Sequence, residues 1–211
     1  MATIHPSATL VPGKLELLQA WVPTQPWAEG LDTSALEQVG AYRFDDPAGE
    51  VGTETFLLRT GDGTVLQVPL TYRAQPLDGA ELVGTTQHSV LGTRYVHDGP
   101  ADPVYAAALA AALLTGTPQA ELELQTPGGP VVREPTARVH VDGALGTVGP
   151  PPSDAEVAVS TVGTTTVLAT GAADLVLLRV LGGAEEGSVG GSVLRGTWTG
   201  QDTPVLLALA R

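Results

Sequence analysis

"ADPVYAAALAAALLTG", residues 101–116, is the stretch on which the fold turns. It reads as one clearly punctuated helix in a chain otherwise made mostly of strand-like runs. Asp102 can accept a hydrogen bond from a first-turn amide, Pro103 stands where a missing N–H does no harm, and Gly116 can close the helix in the left-handed region. Tyr105, Leu109 and Leu113 recur every four residues, so one face carries the large side chains. The alanines between them let the helix lie close to a sheet.

Toward the amino terminus, "ELVGTTQHSVLGTRYVHD" (81–98) reads as one long bent strand or a hairpin. Before it, "LEQVGAYRFDD" (36–46), "EVGTETFLLRT" (50–60) and "TVLQVPLTYR" (64–73) are strand-like, and the Asp-Gly of "TGDG" (60–63) signals a hairpin between the last two. "KLELLQAWV" (14–22) has Leu15, Leu18 and Val22 at helical spacing, and Pro23 and Pro26 stop it. Toward the carboxyl terminus, residues 120–210 become short Val/Leu/Thr-rich runs broken by Gly, Pro or Asp. That spacing predicts an antiparallel meander, built as a sandwich or a partial barrel. Residues 143–155 read as an exposed loop, and 182–191 as a flexible turn.

Composition narrows the function. The net charge is −13, and a single lysine, Lys14, accompanies nine arginines. Such a surface repels phosphate backbones, so nucleic-acid binding is not expected. Cysteine is absent, which removes disulfides, thiolate metal sites and cysteine nucleophiles. The first residues lack a signal-peptide pattern, and the longest apolar run, 104–114, is short of the roughly 20 residues that span a bilayer. The expectation is a cytoplasmic protein without a membrane anchor.

Familiar catalytic motifs are missing. No glycine run leads into Gly-Lys-Ser/Thr, Gly61 and Gly63 lack the third glycine of a dinucleotide fingerprint, and the serines lack a nucleophile elbow. His88, His97 and Asp98 lie close in sequence without the ligand spacing of a zinc site. "FDDPAGE" (44–50) gathers Asp45, Asp46 and Glu50, and reads as a turn in preference to a calcium loop. No metal and no cofactor are expected.

"LQVPLTYR" (66–73), "LVGT" (82–85) and "YVHDGPADPVY" (95–105), in that order, resemble the amino-terminal cap domain of bacterial maltokinases, and "LELLQAWVPTQPWAEG" (15–30) resembles the entry helix of that cap. The resemblance covers roughly residues 10–118. It implies an α+β fold, a cap-like antiparallel sheet with flanking helices of cystatin-like type, over 1–118, followed by a β-rich domain over 119–211. Family members use the cap to cover the nucleotide side of a kinase body that phosphorylates maltose. This sequence has no "HGD"-type catalytic loop and no helical kinase lobe after Pro118, so kinase activity is not expected of it.

The leading functional expectation is therefore a non-catalytic accessory or binding protein linked to trehalose, maltose and α-glucan metabolism, acting through a protein partner or a small sugar. Trp27, Tyr95 and Trp198 are the candidates to stack on sugar rings, and Arg94, His97 and Asp98 to supply polar contacts. Two alternatives stand beside it. One is a small enzyme of unrecognised type with His97 as base, oriented by Asp98 or Asp102. The other is a structural homodimer joined through sheet edges of the β-rich half.

Overall fold

The computed structural model describes residues 8–126, 129–143, 149–183 and 191–211. Most of the expected 143–155 loop lies inside these limits, whereas most of the 182–191 turn lies outside the described residues. The chain begins with β1 (Leu10–Val11) and α1 (Lys14–Trp21), then two short 3-10 turns, Val22–Thr24 and Pro26–Ala28. The prolines at 23 and 26 open those turns and end the α-helix, as their missing N–H groups require. β2 (Glu37–Tyr42), β3 (Gly52–Arg59), β4 (Val65–Arg73), β5 (Leu82–His88) and β6 (Gly92–Asp98) follow. After a 3-10 turn at Gly99–Ala101 comes α2 (Pro103–Thr115).

Strands fill the rest: β7 (Leu122–Thr126), β8 (Gly129–Arg133), β9 (Ala137–Asp142), β10 (Ala158–Val162), β11 (Thr165–Ala169), β12 (Asp174–Leu178), β13 (Val180–Leu181), β14 (Val193–Trp198) and β15 (Gln201–Ala210). The fold is α+β and dominated by antiparallel sheet, with one sheet curled into a half-barrel. The first sheet runs β1-β5-β6-β4-β3-β2. Residues 81–98 form the hairpin of the two expected arrangements, and the 60–63 turn joins β3 to β4 as its Asp-Gly signal requires.

The second sheet runs β10-β11-β12-β15-β14-β9. β10, β11 and β12 follow one another as a simple meander, and β14 and β15 as a hairpin. β9 pairs with β14, and β13 leaves the second sheet altogether to pair antiparallel with β4, Val180 opposite Leu66. β7 and β8 make a separate two-stranded ribbon.

β4 shows how the exchange is possible. One of its edges is covered by β3 along its whole length, and the other by β13 at Val65 and Leu66 and by β6 from Leu70 onward. Gln67 donates its N–H toward the Arg179 carbonyl on that second edge. Pro69, two residues on, faces the same edge at the gap between β13 and β6, where no N–H is demanded.

Both faces of the first sheet are buried. Phe56, Leu58, Leu66, Val68, Leu70 and Val96 meet Leu18, Trp21 and Trp27 on one side. On the other side, Tyr42 and Leu57 share a core with α2 and with Leu168, Leu177, Trp198 and Leu207 of the second sheet. On α2 the large residues Tyr105, Leu109 and Leu113 are buried together with Ala106, Ala110 and Ala112, while Ala107 and Ala111 stay half-buried along the remaining strip. A helix apolar all round belongs in an interior, and its alanines let two layers approach it.

Candidate functional site

Asp98 ends β6, and Arg179 occupies the single position between β12 and β13. Arg179 donates from Nη1 to Asp98 Oδ1 at 2.9 Å and from Nη2 to Oδ2 at 2.5 Å. Its Nε donates to Thr166 Oγ1 at 2.9 Å, and its guanidinium stands 5.2 Å from the centre of the Trp27 ring. With 1% of its side chain exposed, Arg179 is a buried cation whose three nitrogens each donate a hydrogen bond and one face of which meets Trp27. Burial pushes the Asp98 carboxyl above its ordinary value, while the Arg179 charge pulls the other way and Glu81 adds to the rise.

Gln67 forms a second link between the two large sheets. Its Nε2 donates to the carbonyls of Leu178 and Leu207, both at 2.9 Å, and its Oε1 accepts from the Tyr42 hydroxyl at 2.8 Å. Every polar atom of this fully buried side chain is thereby engaged. Tyr42 is held un-ionised because burial, first, and then Tyr105 raise its pKa well above the ordinary phenol value.

Asp102 accepts the Val104 N–H at 2.9 Å as the cap of α2, and Gly116 closes the helix with φ of 72°. Asp102 also takes a bidentate pair from Arg73, Nε and Nη2 each at 2.7 Å. His97, buried on β6, accepts the Leu77 N–H at Nε2, 3.1 Å away. His97 Nδ1 is buried without a hydrogen-bond partner among the described residues. The two carboxylates considered as its orienting partners are thus engaged by Arg179 and Arg73.

The remaining sequence candidates are dispersed. Trp27 is buried with its edge toward Trp21, ring centres 5.9 Å apart, and Trp198 lies in the other core against Gly40. Arg94 and Tyr95 are half-buried on β6, opposite Thr86 and Thr85 of β5. His88 shapes the β5–β6 turn by accepting from the N–H groups of Val90 and Leu91 at Nδ1. Asp46 accepts from the N–H groups of Ala48, Glu50 and Val51, so its carboxylate is consumed in building the 44–50 turn.

An open cavity of about 510 Å³ lies beside α2, lined in part by Phe44, Pro47, Val104, Ala107, Ala111 and Pro118. A smaller one of about 80 Å³ is bordered by Tyr42, Arg43, Glu54, Gln119 and Arg133. None of Trp27, Arg94, Tyr95, His97, Asp98 and Trp198 lines either cavity. Arg179, Gln67 and Arg73 escaped the reading of the sequence as site residues. Their signal was a polar side chain inside an apolar strand run, as in "DLVLLRVL" and "VLQVPL".

These elements define an α+β protein in which an amino-terminal helix and an antiparallel sheet form a cap-like layer over α2. Residues 21–102 match the family model of the maltokinase N-terminal cap domain. The matched region runs from Trp21, the last residue of α1, to Asp102, the cap of α2, and so contains all of β2 to β6. The protein is accordingly maltokinase N-terminal cap-like over that region. No curated protein matches the chain. Among the described residues, no helix is long and apolar enough to cross a membrane.

Proposed function

We propose that this protein is a non-catalytic, cytoplasmic accessory or binding protein of trehalose, maltose and α-glucan metabolism, with a cap-like unit over 1–118 and a β-rich unit over 119–211. The observation that carries this reading is the cap match over 21–102, joined to a β-rich partner layer through Asp98 and Arg179. The family's cap serves by covering another body. A cap-like layer whose buried Asp98, Gln67 and Asp102 side chains are already engaged within the chain supports a role exercised at its surface, on a partner enzyme or a sugar. Arg94 and Tyr95, half-buried on β6, are the candidate residues there that substitution can test without opening the core.

The sugar arm is read by thermal unfolding of the full chain with maltose, trehalose and their phosphates. Binding to the folded state raises the midpoint with ligand concentration. The expected result is a rise with one of these sugars that Arg94→Ala or Tyr95→Ala diminishes. No rise with any of them overturns the sugar arm, and capture of partners from cells reads the other.

A further inference from the structure

The two large sheets end in β1, β2, β9 and β10. Three of these edges are blunted in the ways that keep sheets from pairing. β1 is two residues long. β2 begins at Glu37, and its Ala41 N–H is taken by Thr136 Oγ1 at 2.9 Å. β9 carries Arg138, His140 and Asp142, with His140 Nε2 3.3 Å from Asp142 Oδ2.

β10 has none of these devices. Its five residues, Ala158 to Val162, are uncharged, contain no proline and are all exposed, with Val162 79% exposed. From this difference we infer that β10 is the self-association edge of the protein, pairing antiparallel with β10 of a second copy about a two-fold axis at Ser160.

The register follows from the hairpin. Val162 pairs with Thr165 across the two-residue turn at Gly163 and Thr164. Residues flanking such a turn exchange hydrogen bonds, so Val162, Ser160 and Ala158 direct their backbone groups toward β11. Val159 and Thr161 therefore direct theirs outward. Centred on Ser160, Val159 of one copy faces Thr161 of the other, and each outward N–H meets an outward carbonyl. The two Ser160 side chains then form the close, non-hydrogen-bonded pair on the axis.

The absence of charge on β10 leaves this edge compatible with a second copy in this orientation. At a net charge of −13 the protein repels itself over most of its surface. β10 itself adds no charge to that repulsion. Antiparallel pairing also places the two Glu156 residues roughly 25 Å apart, at opposite ends of the ribbon. An isologous contact of this kind closes at two copies.

The test is sedimentation velocity on the full chain and on Ser160→Asp and Ser160→Lys. Ser160 is exposed, so neither change disturbs the core. The expected result is a dimer for the parent at hundreds of micromolar, at least tenfold weaker association for each variant alone, and recovery when the two variants are mixed. A parent that stays monomeric, a dimer that both variants leave intact, or variants that fail to recover on mixing would each overturn the inference. Circular dichroism of both variants checks that loss of the dimer is not loss of the fold.

Discussion

Arg179 grips both carboxylate oxygens of Asp98, a residue 81 positions earlier in the chain, and through that pair the strand exchange between the sheets is fixed. The pair has 1% and 14% of its two side chains exposed. Removing one member leaves the other's charge buried without a partner, whereas removing both does not. Arg179→Met is expected to lower stability by about 3–5 kcal/mol in urea unfolding. Asp98→Leu combined with Arg179→Met should recover most of that loss. Equal losses for the single and double variants would contradict this account.

Gln67 is expected to matter nearly as much, although it is neutral. Gln67→Leu strands the Tyr42 hydroxyl and removes the donor that serves the Leu178 and Leu207 carbonyls. Each buried group left unsatisfied costs about 1–3 kcal/mol. The urea midpoint should fall accordingly, and an unchanged midpoint would show that these groups find other partners.

Asp102 has two roles that substitution separates. Asp102→Asn keeps an oxygen for the Val104 N–H but gives up the charge that pairs with Arg73; Asp102→Ala gives up both. The alanine variant should be less stable than the asparagine variant by about 1 kcal/mol, the usual worth of a helix cap. Hydrogen exchange in the first turn of α2 locates the difference. Equal protection there in both variants would argue against the cap.

The parts of this fold legible from sequence are those in which neighbouring residues carry the information. Asp102, Pro103 and Gly116 bound α2 through backbone effects within one turn, and Asp62-Gly63 sets the β3–β4 hairpin in the same local way. Arg179 reveals less, since a lone arginine in an apolar run says that a buried partner exists and not which of the distant carboxylates it is. β13 is two residues long and pairs with a strand more than a hundred positions earlier, which no local pattern encodes. Trp27, His97 and Trp198 invite a binding role as residue types. Their burial follows from long-range packing that becomes visible only when both sheets close on their shared layers.

Asp62 makes a pH prediction at the same hairpin. It accepts from Thr60 Oγ1 at 2.7 Å, from the Thr64 N–H at 3.0 Å and from the Asp32 N–H at 3.1 Å. The Thr60 hydroxyl first, and then the backbone bond from Thr64, hold its carboxyl well below the ordinary value of 3.8. A carboxylate depressed by folding contributes stability that is present above that ordinary value and is lost as pH falls through the folded one. The advantage of the parent over Asp62→Asn should thus be constant near neutrality and shrink below pH 3.8. An advantage that persists unchanged into strong acid would refute it.

The central claim is that this cap-like protein works by engaging a component of trehalose, maltose and α-glucan metabolism. Its most direct measurement is affinity capture of the full, tagged chain from native cells, compared with Arg94→Ala and with an untagged control by quantitative mass spectrometry. The account predicts selective enrichment of maltokinase or trehalose synthase with the parent chain, reduced by Arg94→Ala. Enrichment of neither enzyme, in an experiment that recovers the folded bait, would contradict it.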